Sequence, residues 1–481
     1  MALAHQRLWP RWLFLRSLAL LQLSAFVSLA FQIEGLIGPR GILPAGEYLA
    51  ALAAGRGANR FLVAPTALWI SSGDAALRIL VGVGLLGSLL LLFNRWPRAG
   101  LLLCGLAFSS FAGAAQEFAG YQSDGMLLEA TLIGFFFAPR GRRPGLGADQ
   151  PPSRISSLLL LWLWFRIYFE SGVAKLLSGE PAWRDMSAMD RYYETGPLPT
   201  WIGYYVQQGL PHAFHQATAW ATMVIELGVV FLAALPRRFR LACAAIVTPF
   251  QLGIILTANY AFLNYLVLFL GLLLLDDSVL SRWLPAPAPV EPRPLSPVRR
   301  WLELGVLGWQ GLSTVIVGAL PWSRPLATLA LPLAEVRVAN RYALFAVMTP
   351  QRNEIEFQGS ADGVTWLPYR FRFKPQDLRE APGIYAPYQP RFDWNLWVAS
   401  LSPVADDPIV LRTQQRLLEG APEVLRLFRE NPFPEGPPRQ VRAVLFQYGF
   451  TDLATLRATG AWWWSAPRGI FSPPLTRSGL E

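Results

Sequence analysis

The stretch SSLLLLWLWFRIYFESGVAKLL, Ser156 to Leu177, is long and apolar enough to cross a bilayer, yet it carries Arg166, Glu170 and Lys175. About 20 mainly apolar residues are what a helix needs to span the hydrocarbon core. Charges at that depth are costly and are usually paired or functional. Lys175 is also unusual for this chain. Lysine and arginine together number 42, and only two of them, Lys175 and Lys374, are lysine.

Similar runs recur on either side, at 12–30, 75–93, 99–118, 126–137, 156–177, 217–234, 241–256, 261–275 and 302–320. The fourth and eighth are short. Composition agrees with a membrane protein. Of 481 residues, 53% are hydrophobic and 15% charged, against roughly 25% charged in soluble domains. The first run follows Arg7 and Arg11, with Arg16 near its start. Its apolar core is too long for a signal peptide, so it reads as an uncleaved span.

Arginines mark one side of the bilayer. With a cytoplasmic N-terminus, the cytoplasmic loops are 94–98, 139–154, 235–240 and 276–300. They hold Arg95, Arg98, Arg140, Arg142, Arg143, Arg154, Arg237, Arg238, Arg240, Arg282, Arg293, Arg299 and Arg300. The opposite loops are longer in total and hold Arg40, Arg56, Arg60, Arg184 and Arg191. This asymmetry follows the positive-inside rule. It predicts an all-α bundle of about nine transmembrane helices over residues 1–320, with the N-terminus inside. The Pro-rich segment 284–296 is a stiff linker before the last span. Residues 321–481 form a soluble α+β domain outside the cytoplasm.

Within that domain, 341–348, 353–360 and 366–373 read as strands, and Asp362-Gly363 marks a hairpin between the last two. Residues 392–401 and 414–428 read as helices, and 442–450 as a final strand before Trp462, Trp463 and Trp464.

Chemistry-bearing patterns are few. Cys104 and Cys243 both sit in apolar runs, which excludes a disulfide framework and a CxxC site. His212 and His215 are three apart, but no carboxylate joins them at helical ligand spacing, so no metal is expected. No phosphate loop, dinucleotide fingerprint or nucleophile elbow occurs, and no cofactor is expected. The net charge of +10 is spread over loops rather than gathered in a stripe, so nucleic acid is not a partner. The bilayer itself is one.

The intramembrane charges remain. Arg166 and Glu170 are four apart on one helix face and can pair. Glu129, in the fourth run, is a candidate second partner for Arg166, and Glu226 in the sixth run has the same status. Asp124 reads as a loop acid or helix cap. Lys175, nine residues after Arg166, falls on the opposite face. It either snorkels to the interface or, desolvated, serves as a base. The loop WRDMSAMDRYYETGPLPTWIGYYVQQGLPHAFH that follows brings Trp183, Arg184, Asp185, Tyr192, Glu194 and His212 to the same side. Long ordered loops are where function concentrates.

Several tracts carry a resemblance. They are QIEGLIGPRGILPA, DGMLLEATLIGFFFAP, WLWFRIYFESGVAKLLSGEPAWRDMSAMDRYYETGPLP, NRYALFAVMTPQRNEIEFQGSADGVTWLPYRFRFKP, PYQPRFDWNLWVASL and ENPFPEGPPRQVRAVLFQYGF. Together they resemble the signature blocks of the lipase maturation factor family along nearly the whole chain. The resemblance implies a polytopic membrane protein, in animal members of the endoplasmic reticulum, that helps exported lipases reach their active form. It implies a chaperone-like role rather than an enzyme, with an exported client protein as partner. Animal members read closer to YHYETQPLP where this chain has Tyr192-Tyr193-Glu194-Thr195-Gly196-Pro197. The arginine-rich composition and the lack of Asn-x-Ser/Thr point to a bacterial relative, hence an inner membrane. Around Lys175 the chain is also similar, more faintly, to vitamin K-dependent carboxylase-like membrane proteins. That similarity implies an alternative, a membrane enzyme using Lys175 as base on a lipid-soluble or membrane-presented substrate.

Overall fold

The apolar runs all fold as helices, the form in which a spanning segment satisfies its own backbone without water. They are α1 (Leu8–Ile37), α2 (Asp74–Leu92), α3 (Pro97–Ala114), α4 (Gln122–Phe137), α5 (Arg154–Leu177), α6 (His212–Leu227), α7 (Arg237–Thr257), α8 (Leu263–Gly271) and α9 (Pro297–Ala319). 3-10 segments, Val229–Ala234 and Leu272–Leu274, extend α6 and α8. The structure is a computed structural model, described over residues 7–287, 290–291, 293, 296–319, 337–402 and 407–476. The expected domain boundary at 320/321 and part of the linker 284–296 lie outside the described residues.

Among the described residues, 7 helices are long and apolar enough to cross a membrane. Of the nine expected runs, seven are thus of spanning length, and the two that read as short in the sequence are short in the structure. The shortfall is α4 and α8. Helix α4 has 16 residues, which at 1.5 Å each gives ~24 Å against a core of ~30 Å. It stops at Phe137 because Ala138 precedes Pro139 and is held extended, at ψ 144°. Most of its side chains are buried against neighbouring helices.

The bundle has two distinct ends. At one, Arg98 donates to the Ala138 carbonyl (2.8 Å), Arg11 to that of Gln150 (2.6 Å), and Arg237 pairs with Asp276 (2.7 Å). The Leu8 N–H donates to Asp277 (3.0 Å). The start of α1 and the arginine-rich loops thus share that end. At the other, Arg391 donates to the Phe118 carbonyl (2.6 Å), Arg416 to that of Gly41 (2.9 Å) and Asn259 to that of Gly383 (2.9 Å). The C-terminal region sits there.

That region is built on a four-stranded antiparallel sheet in the order β2-β1-β3-β4. Its strands are β1 (Arg352–Ser360), β2 (Leu367–Pro368), β3 (Gln440–Phe450) and β4 (Trp463–Thr476). Helices α10 (Arg391–Ser400) and α11 (Pro408–Glu419) pack on it over a core that includes Phe357, Phe371, Phe392 and Phe428. The Asp-Gly hairpin is present. Asp362 accepts from the N–H groups of Val364 (2.8 Å) and Thr365 (2.7 Å), and Gly363 takes φ +81°.

Three expectations are corrected. The strand expected at 366–373 is cut to Leu367 and Pro368; after it the Tyr369 N–H still donates to the Phe357 carbonyl (2.9 Å), and Arg370 turns away to bridge Glu430. The helix expected at 414–428 is split: α11 starts earlier and ends before Gly420, which sits in the left-handed region at φ 68°, and a separate helical turn, Pro422–Leu425, follows. The strand expected at 341–348 is irregular, because its backbone is bonded by the helices beneath it.

Candidate functional site

Helices α4 and α5 bring Glu129, Arg166 and Glu170 together. Arg166 lies 2.9 Å from Glu170 and 3.2 Å from Glu129, and Arg166 and Glu129 are almost fully buried. Its remaining nitrogen donates to the Asn340 carbonyl, and its guanidinium lies 5.1 Å from the Tyr342 ring centre. The two carboxylates also reach the segment 340–345. Glu129 accepts from the Asn340 N–H (2.6 Å) and side chain (2.9 Å), and Glu170 from the Tyr342 N–H (2.8 Å). Gln122 takes the Ala343 N–H (2.9 Å) and Ser171 that of Leu344 (3.2 Å). With the N–H groups of Asn340, Tyr342, Ala343 and Leu344 consumed in this way, the segment cannot run a regular ladder.

Lys175 continues the series. Its ammonium donates to both oxygens of Glu226 on α6 (2.9 and 2.8 Å) and to the Leu344 carbonyl (2.9 Å). All three N–H donors are used. At 3% exposed it does not snorkel. The Trp183 ring lies 5.2 Å from it, and the Trp183 indole donates to the Phe345 carbonyl (2.9 Å). The chain's other lysine occupies the same kind of place. Lys374 lies 2.8 Å from Glu354, donates to the Ile355 carbonyl (2.9 Å) and sits 4.3 Å from the Phe371 ring centre. In both, a compact ammonium meets acceptors converging from different directions. The planar fork of arginine fits that arrangement poorly.

The aromatic loop is held by a second cluster. Arg352, buried on β1, donates to the carbonyls of Glu194 (3.0 Å), Gly196 and Pro197 (2.9 Å), and pairs with Glu354. The Glu194 carboxylate accepts from the Phe450 N–H (3.0 Å) on β3. Tyr192 packs against Tyr260 and Phe345. Asn259 secures the neighbouring strand of chain, accepting from the N–H groups of Tyr385 (2.7 Å) and Ala386 (3.0 Å).

Asp124 is neither a loop acid nor a cap. It is fully buried in the first turn of α4 and forms a two-pronged pair with Arg391 (2.8 and 2.8 Å). Its partner lies on α10, which the local sequence could not indicate. The other predicted residues stand apart. Arg184 and Asp185 are exposed, and Asp185 is bonded to the Ser187 hydroxyl (2.6 Å), which holds its carboxyl below the usual range. His212 is exposed and pairs with Asp190 (2.9 Å), whereas His215 is buried against Tyr193 and Phe214. Among the described residues no three His, Cys, Asp or Glu side chains gather as a metal site would require.

Sequence reasoning missed Arg352, Glu354, Asn340, Asn259, Lys374 and Arg391 as members of this assembly. Only Lys374 carried a signal, its rarity. The assembly itself is a layer of buried charges and amides that fixes segment 340–345 and loop 192–199 between the bundle and the sheet. Among the described residues its charges are paired across the joint.

Comparison with known proteins gives consistent results. A profile described as the lipase maturation factor transmembrane domain matches residues 9–282, and one described as the lipase maturation factor C-terminal domain matches 338–473. The chain is 30% identical to lipase maturation factor 1 of Bos taurus, covering 97% of this chain and 89% of that protein. It is 30% identical to lipase maturation factor 1 of Homo sapiens, over 99% and 90%. With lipase maturation factor 2 of Gallus gallus it shares 30% identity, over 95% and 79%. No solved structure matches. The carboxylase-like resemblance around Lys175 gains no support.

Proposed function

The chain belongs to the lipase maturation factor family, and from that premise we propose that it is a membrane-embedded factor for the maturation of exported proteins, lipases first among them. The observation that carries the reading is the match along both halves of the chain, bundle and C-terminal region alike.

The geometry supports an extension of it. Residues 1–320 form the membrane domain and 321–481 the soluble domain. The arginine-rich loops lie at one end of the bundle and the C-terminal region at the other, which favours an N-terminus inside and the C-terminal domain on the export side. Helices α4 and α8 run between the two ends within the shelter of their neighbours, so nine passages need not mean nine full-length spans. A bacterial inner membrane suits the composition. The client then meets the sheet and the aromatic loop, which the buried joint beneath them, Tyr192 and Glu194 included, holds as one surface.

The test is co-expression with an exported lipase. Lipase specific activity, normalised to secreted lipase protein, should fall when the factor is removed and return with the wild-type chain. Equal activity with and without the factor, for a panel of lipases from the same genome, refutes the reading.

A further inference from the structure

Helices α6 and α7 follow one another in the chain, yet they share almost no close contact. They meet through the 3-10 turn Val229–Ala234 and diverge from there. The short helix Trp201–Gly209 crosses the wide end and packs on α7. Between them lies a cavity of about 430 Å³, within the roughly 300–1,000 Å³ typical of ligand sites. Phe214 and Thr222 line it from α6, Phe250 and Ile254 from α7 and Val206 from the short helix, with the Lys175–Glu226 pair among its walls.

Two local features keep the gap open. Pro249 in α7 removes the N–H that would bond the Ala245 carbonyl, and proline inside a helix weakens its straight course. Gly253, one turn on, has no heavy atom within 4 Å of where a Cβ would stand, so nothing packs into that space.

We propose that this crevice holds one acyl chain of a membrane lipid. Both walls are helices long and apolar enough to span a membrane. The flanking side chains Trp220, Val224 and Leu252 are exposed, as lipid-facing side chains of a spanning helix are, and Leu256 is both exposed and part of the cavity lining. The crevice is thus continuous with the acyl phase. The charges decide the ligand's chemistry. The ammonium of Lys175 has spent its three donors on Glu226 and Leu344, so it offers nothing to an anionic headgroup. An uncharged chain is what the remaining apolar surface can accept. A dry void would forfeit the dispersion contacts of its lining, and an acyl chain restores them. The inference stands independently of the client.

The experiment places the full chain in phosphatidylcholine nanodiscs doped with phosphatidylcholine bearing a diazirine near the end of one acyl chain. After irradiation, labelled peptides are mapped by mass spectrometry. Labelling should concentrate on Phe214, Thr222, Phe250 and Ile254, several-fold above the lipid-facing Ile79 and Leu86 of α2. Gly253→Leu, whose Cβ would meet no heavy atom within 4 Å, should abolish the excess at the crevice and leave Ile79 and Leu86 unchanged. Ala221→Phe, on the opposite wall, should do the same. Crevice labelling no higher than at Ile79 and Leu86, or undiminished by either filling variant, overturns the proposal. So does photocrosslinking from position 221 that captures a co-expressed lipase in place of lipid.

Discussion

Lys175 donates to both carboxylate oxygens of Glu226, at 2.9 and 2.8 Å, from opposite sides of the α5–α6 contact. The pair is buried, and each member was costly to desolvate. Removing one partner is therefore worse than removing both.

Lys175→Met should destabilise the protein by about 3–5 kcal/mol, because it strands the Glu226 carboxylate. Combining it with Glu226→Met should recover most of that loss. Thermal unfolding of the purified protein in detergent measures both. A single variant as stable as wild type would remove the pairing from the account.

Arg352→Lys should loosen the loop even though charge is kept. One guanidinium serves three carbonyls and Glu354, and an ammonium cannot span them. Amide exchange at residues 192–200 should quicken by at least tenfold, with helix α3 unaffected. Exchange that stays slow would mean the loop is held by its aromatic packing instead.

Gly125→Ala tests the joint between α4 and segment 340–345. A methyl at Gly125 would run into the Asn340 side chain, which is bonded to Glu129. A loss on the order of 1–3 kcal/mol is expected, typical of overpacking. An unchanged melting temperature would show that Asn340 can move at no cost.

Asp393, on α10, sets a pH dependence. Burial raises its carboxyl to about 6, against the pull of Lys374 and the Phe373 N–H. The unfolded group titrates near 4. Between those values the folded chain holds the proton and the unfolded chain does not. This group's contribution to stability is thus greatest at low pH and falls as pH rises to about 6, by on the order of 3 kcal/mol. Asp393→Asn should flatten that part of the melting temperature profile between pH 4.5 and 7. A slope identical in the variant would assign it to another group.

Orientation has a direct readout. A reporter inserted between Arg142 and Arg143 should be active in the cytoplasm, and one placed after Thr476 only outside it. The reverse pattern would invert the proposed topology.

What the sequence by itself determined is local and periodic. Run length predicted the helices, because a segment in hydrocarbon must bond its own backbone. Arginine placement separated two sets of loops, which the structure gathers at two ends. Asp362-Gly363 fixed a hairpin, because its turn bonds within a few residues. The pair Arg166–Glu170 was equally legible, at four residues' separation on one helix.

What only the tertiary structure decided is every contact whose partners are remote in the chain. Lys175 meets the Leu344 carbonyl 169 positions away, Glu194 meets Phe450 at 256, and Asp124 meets Arg391 at 267. Tyr342 and its neighbours alternate as a strand would, yet their N–H groups go to helix side chains, so hydropathy pattern alone misassigned them. The physical reason is common to all of these. A buried charge or amide must find a partner, and which partner depends on what the folded chain places within 3 Å, a quantity that composition and periodicity do not contain.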